Sequence, residues 1–247
     1  YYLANIQNLH KQLLDLVSGP PSIIRVRAFP NRIIVGSEES VTITASVFDT
    51  SSNPVRQGTF VTFSTTLGTI GQSAVTDNRG EAVVLLNTGV STGIARVQAT
   101  VDGGRGPISN STDVHILSGP PHTMSIIADP DQLQPRGAGG RETSIIQINI
   151  EDSFGNLLSE NHPVVVEILD CPAPPEGPTL GIEGQRVEIM SQDGIAQTAF
   201  NSGELMLSAL VNAYTFSDFG RMDTIRTYTT TQIAGGAPFG MNINVDE

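Results

Sequence analysis

The sequence predicts an all-β protein: two tandem β-sandwiches preceded by a short N-terminal helix. Three observations carry that prediction. Ser18-Gly19-Pro20-Pro21 recurs as Ser118-Gly119-Pro120-Pro121, and Ala28 and Pro30 fall opposite Ala128 and Pro130, so the chain holds two copies of one unit. Apolar residues then alternate with Thr and Ser at a period of two, which puts one strand face into a core and the other into water. Between these runs sit Asn-Pro, Asp-Gly and Asn-x-Gly turns, at the roughly 8–12-residue spacing of an antiparallel sandwich.

Residues 1–17 break the β pattern. Leu3, Ile6, Leu9, Leu13, Leu16 and Val17 lie three and four apart, a helical stripe that Ser18-Gly19-Pro20 would end. The stripe is a candidate for assembly with other chains or for docking on the first sandwich. The first sandwich is expected over residues 18–118, with alternating strands at Val41-Thr42-Ile43-Thr44-Ala45-Ser46-Val47 and Ile94 through Val101. The second is expected over residues 119–233, with Ile146-Gln147-Ile148-Asn149-Ile150 and a less regular run from Leu205 to Val211. The repeat register starts at 100. It slips to 103 between Asp49 and Asp152, after the Gly-rich stretch Gly137-Ala138-Gly139-Gly140, and to 114 between Gly80 and Gly194. The second slip fits an insert at Cys171 through Pro178. Insertions confined to Gly/Pro segments mark surface loops between fixed strands. Residues 234–247 read as a linker, Ala234 to Pro238, followed by one more alternating stretch at Met241, Ile243 and Val245.

At 247 residues there is room for two domains of about 100–120 residues, each with its own core. A single cysteine, Cys171, allows no internal disulfide, so packing alone must hold the sandwiches. No stretch approaches the roughly 18 apolar residues of a membrane-spanning helix, and no signal peptide or initiator Met is seen, which suggests a chain that is processed or cut from something longer. The net charge of −12 is lopsided: residues 18–118 balance seven Arg against seven acids, whereas residues 119–247 set five Arg against seventeen acids. Such acidity disfavours nucleic acid as a partner.

The order of these elements resembles the bacterial immunoglobulin-like domains found in tandem in invasin and intimin. The resemblance rests on the alternating strand Val41 to Ala45, the turn Asp49 to Val55, Val61-Thr62-Phe63, the turn Leu67-Gly68-Thr69-Ile70, Thr76-Asp77 leading to Gly80 and Ala82, and a Gly93-led closing strand. It covers residues 23–117 well. In residues 123–233 it is weaker, because Val165-Val166-Glu167 lacks the phenylalanine and the Pro-rich insert breaks the middle. The resemblance implies immunoglobulin-like sandwiches, extracellular display at a cell surface, and adhesion or spacing without catalysis. Partners would be a protein or glycan on a cell surface, or copies of the chain itself. It transfers no binding residues.

Residue chemistry adds no catalytic or cofactor site. His10, His115, His122 and His162 have no metal spacing, and His115 falls in an apparent strand facing solvent. Gly137 to Arg141 lacks the following helix that a phosphate cradle needs. Asp129, Asp131, Glu151, Asp152 and Asp193 could approach one another, with Asp102 or Asp113, but no calcium-loop motif joins them, so no metal is expected. Asn110-Ser111-Thr112 is a glycosylation sequon beside a turn, which makes Asn110 a possible acceptor. The expectation is a non-catalytic adhesin stalk or structural spacer. The alternative is a subunit of an extracellular pilus-like filament, assembled through the N-terminal helix.

Overall fold

A computed structural model of the chain describes residues 18–182, 184–216 and 224–235. Every regular element among the described residues is a β-strand. The expected helix over residues 1–17 and the extra strand near Met241 lie outside them. The chain divides into two compact units between Leu117 and Ser118.

The first unit is built from β1 (Ile23–Phe29), β2 (Arg32–Ile34), β3 (Val41–Phe48), β4 (Phe60–Thr65), β5 (Thr69–Ile70), β6 (Ser73–Val75), β7 (Glu81–Asn87), β8 (Gly93–Asp102) and β9 (Pro107–Leu117). One sheet runs β1-β3-β7-β5 and the other β2-β9-β8-β4-β6. All pairs are antiparallel except β2 on β9. The alternation in β3 does what a period of two requires. Val41, Ile43, Ala45 and Val47 are fully buried, and Thr42, Thr44 and Ser46 lie on the other face. The facing sheet supplies Val61, Phe63, Ala95, Val97 and Ala99 to the same core. Each fully buried Val or Ile contributes about 1.5–3 kcal/mol, which is how a unit without disulfides holds together.

The second unit repeats this strand for strand, with β10 (Thr123–Asp129), β11 (Gln132–Leu133), β12 (Thr143–Glu151), β13 (Pro163–Leu169), β14 (Thr179–Leu180), β15 (Arg186–Met190), β16 (Ile195–Asn201), β17 (Leu207–Phe216) and β18 (Thr224–Ile233). Its sheets run β10-β12-β16-β14 and β11-β18-β17-β13-β15, the same order position by position. Both units place a cis peptide before the matched prolines, Phe29-Pro30 and Asp129-Pro130. The core differs by a compensated exchange. Val41 pairs with Leu86 in the first unit, and the matched pair in the second is Ser144 with Phe200. A smaller residue on one strand makes room for a larger one on its neighbour, and Phe200 is fully buried.

One register differs from the sequence expectation. The residues of β13 that enter the core are Val164, Val166 and Ile168, so Val164-Val165-Val166 takes the place of Val61-Thr62-Phe63. Val165 points away from the core. Three consecutive valines carry no alternation, and a one-residue slip exchanges the faces of a strand. The insert at residues 171–178 is closed by Gly177 N–H to Ala173 O (3.0 Å). It is tied to the β16–β17 turn by Glu204 N–H to Pro175 O (3.3 Å) and Leu205 N–H to Glu176 O (3.1 Å).

Candidate functional surface

The Ser-Gly-Pro-Pro motif and the Asp turn, 30 or more residues apart in sequence, meet in space. In the first unit Asp49 Oδ2 accepts the N–H of Gly19 (3.0 Å) and Asn53 Nδ2 (3.2 Å), while Oδ1 accepts the N–H groups of Ser51 (2.8 Å) and Asn53 (2.9 Å). In the second, Asp152 Oδ2 accepts Gly119 N–H (3.1 Å) and Oδ1 accepts Phe154 N–H and Asn156 N–H (both 2.9 Å). Asn156 Nδ2 adds bonds to both oxygens. Short turn loops of the Asx type supply converging N–H groups, and the buried carboxylate satisfies them. For Asp49 the N–H groups of Gly19 and Asn53 hold the carboxyl below its ordinary value. For Asp152 burial pushes it up, but the bonds from Asn156, Gly119 and Phe154 outweigh burial and the net shift is downward. The same carboxylate thus fastens the segment entering each unit to the sandwich it enters.

The outward faces of the two five-stranded sheets differ in chemistry at matched positions. In the first unit one row across the face reads Ser73, Thr62, Thr100, Ser109, and the next holds Ser64, Gln98 and Ser111. A neighbouring ion pair, Arg96 to Asp113 (3.0 Å), lies on the same side, where Phe60, Val75 and Ile94 are also more than half exposed. In the second unit the matched rows are Glu188, Val165, Tyr214, Arg226 and Arg186, Glu167, Asn212, Tyr228. The Arg226 guanidinium lies over the Tyr214 ring at 5.2 Å, Arg186 Nη2 donates to Tyr214 Oη (3.1 Å), and Phe216 meets the same ring edge-on at 6.2 Å. Asn212 Nδ2 donates to Glu167 Oε1 (2.8 Å). Val165 is 7% exposed although it faces outward, because these longer side chains close over it.

The sequence-predicted residues fall as follows. Leu3, Ile6, Leu9, Leu13, Leu16 and Val17 lie outside the described residues. Asn110 is exposed but sits within β9, and not in the turn before it. Its Nδ2, the nitrogen a glycan would occupy, donates to Ile24 O on β1 (2.9 Å), so the side chain latches one sheet to the other. His115 is exposed on β9. His162 is 7% exposed, with Nε2 against Phe216 O (3.0 Å), and belongs to the packing of β13 and β17. Burial and the neighbouring Asp170 push the Cys171 thiol up, away from the reactive thiolate. Among the described residues no group of three or more His, Cys, Asp or Glu is placed to hold a metal ion. The aromatic face of the second unit was missed from sequence. Its residues are scattered over four strands, and only the period-two spacing of Asn212, Tyr214 and Phe216 hinted that they share a side.

The family model described as Invasin, domain 3 matches residues 21–119. Comparison with curated proteins gives no match. Among solved structures, InvD of Yersinia pseudotuberculosis is 18% identical with a TM-score of 0.63, over 89% of this chain and 60% of that one. Invasin, described as a bacterial integrin-binding protein, is 18% identical with a TM-score of 0.39, over 87% and 40%. A C-terminal 282-residue fragment of intimin, solved with the intimin-binding domain of the translocated intimin receptor, is 16% identical with a TM-score of 0.35, over 86% and 64%. The chain spans about 60% of the length of InvD. Strand order and core describe an immunoglobulin-like sandwich, twice over. Residues 21–119 match the invasin domain 3 family, and the second unit repeats the same strand order, so the chain is similar to the tandem bacterial immunoglobulin-like domains of invasin and intimin. The filament alternative depends on residues 1–17, and neither the family match nor the InvD superposition supports it. No helix among the described residues is long and apolar enough to cross a membrane.

Proposed function

We propose that this chain is a segment of an extracellular surface adhesin in which residues 18–118 and 119–233 serve as non-catalytic stalk or spacer modules. The observation that carries the reading is the repeated anchor. Asp49 on Gly19 and Asp152 on Gly119 fasten the entry of each unit by the same bonds, the construction expected of modules added in series. The invasin-type match over residues 21–119 supports the adhesin setting. In this reading residues 235–247 open a further module. The parallel pairings Ile33 on Ile116 and Leu133 on Ile233 equate those positions. Carried forward, Gly119, Pro121, Met124 and Ile126 fall on Gly236, Pro238, Met241 and Ile243.

The test uses the full surface protein on its own cells. Antibodies to residues 18–233 label intact cells, and an in-frame duplication of residues 18–117 leaves ligand affinity unchanged. Unlabelled intact cells would remove the surface reading. Labelled cells whose affinity collapses on duplication would remove the spacer reading and make the modules part of the binding site.

A further inference from the structure

We infer that the outward face of the sheet β11-β18-β17-β13-β15 pairs with the same face of a second copy of this chain, about a two-fold axis parallel to the strands. The inference starts from the contrast between matched positions. In its central row the first unit places only Ser73, Thr62, Thr100 and Ser109, while Phe60, Val75 and Ile94 are more than half exposed elsewhere on its face, so the contrast lies in the charged and aromatic residues of that row. The second unit places Glu188, Val165, Tyr214 and Arg226 there, and Tyr, Phe, Met and Arg are the residue types enriched where proteins meet. Tyr228 and Met190 are more than half exposed on the same side.

The occupant follows from the order of charges. Across the sheet the strands run β15, β13, β17, β18. An axis between β13 and β17, along the strands, lays β15 of one copy over β18 of the other and β13 over β17, at equal height. Glu188 then faces Arg226 of the second copy, and Arg226 faces its Glu188. Val165 and Tyr214 of the same row lie beneath these contacts, Val165 covered by its own unit's side chains and the Tyr214 ring by Arg226. In the next row Arg186 comes over the ring of Tyr228, a cation–π placement. One row further, Leu169 faces Leu210. An isologous interface requires the patch to complement itself in this way. Within the unit, and among the described residues, Glu188, Arg186 and Arg226 have no ion-pair partner. Residues 119–247 carry a net −12, which keeps two such units apart, yet this face is neutral, with Arg186 and Arg226 against Glu167 and Glu188.

The area sets the strength. Four strands about 4.8 Å apart and four rows give roughly 400 Å² per copy, half the ~800 Å² of a standard interface, so the dimer is a weak one. Because the axis runs along the strands, both copies point the same way, as copies displayed on one surface would. The solution test does not depend on that display.

The experiment is sedimentation equilibrium of the full chain from about 10 µM to about 1 mM, the range such an area supports. The wild type shifts from 26.2 kDa toward twice that mass. Glu188→Arg sets two guanidinium groups together at each of the two symmetry-related contacts with Arg226. Arg226→Glu sets two carboxylates together there, so each variant alone loses at least about tenfold in association. Mixed in equal amounts they recover it, because every pair across the mixed interface is then opposite in sign. Circular dichroism confirms that both variants are folded. A wild type that stays at 26.2 kDa throughout overturns the inference. So does association unchanged in the single variants, or a mixture that fails to recover.

Discussion

Asp152 carries more of the second unit than its single side chain suggests. Its carboxylate satisfies three backbone N–H groups and the Asn156 amide while 1% exposed. Asp152→Ala orphans those donors and is expected to cost about 2–3 kcal/mol, read as a lower midpoint in chemical denaturation. The pH dependence follows from the direction of the shift. Asp49 and Asp152 both titrate below the ordinary 3.8, so the unfolded chain takes up protons first. Their stabilisation is complete above that value and is lost as pH falls through the lower folded values. Wild type therefore loses stability below about pH 4, and Asp152→Asn flattens that fall in the second unit. Asn110 makes the corresponding contribution between sheets. Asn110→Ala removes the bond to Ile24 O and should lower the stability of the first unit by about 1 kcal/mol, whereas Asn110→Gln tests whether the amide or its reach matters.

At the scale of elements, the turns that re-enter β7 and β16 are set by glycine. Gly194 has φ +76°, and a Cβ there would lie 2.6 Å from Leu158 N and 3.0 Å from Ile150 O. Gly194→Ala is expected to cost about 2–4 kcal/mol, the left-handed penalty plus displaced backbone. Gly155→Ala, at φ +80° with open space around it, isolates the conformational part at about 1–2 kcal/mol. Thermal melts of the two variants separate the contributions. The core exchange of Val41 and Leu86 for Ser144 and Phe200 leaves Ser144 Oγ buried without a hydrogen bond. Ser144→Ala removes that hydroxyl without filling the space Phe200 uses. It should be neutral or stabilise by up to about 1 kcal/mol, measured by urea denaturation. A clear loss would mean the hydroxyl has a partner.

For the whole molecule, charge separates the units. The excess of −12 lies in residues 119–247, and residues 18–118 are balanced. Self-repulsion is screened by salt, so raising ionic strength should lift the melting transition of the second unit by a few degrees, about 2–5 °C, and leave the first nearly in place. Calorimetry of the full chain resolves this. Asp152→Ala identifies the second unit's transition, because that transition alone should fall.

The sequence by itself determined that this chain is all-β and made of two copies of one module. Period-two alternation, Gly and Asn turns and the repeated Ser-Gly-Pro-Pro are local or self-referential signals, readable without knowing any contact. Val41 to Val47 and Ile146 to Ile150 show it, since every core position there was legible from its neighbours. Three things were left to the tertiary structure. The face that Val165 takes was decided by pairing with Tyr214 and Glu188, because a run of valines has no alternation to read. The role of Asp49 and Asp152 depended on Gly19 and Gly119 arriving from 30 or more residues away. The Tyr214, Arg226 and Glu188 surface came together only through the register of four strands. Local periodicity is written in adjacent residues, whereas cross-strand neighbours are set by pairing, and pairing belongs to the folded chain.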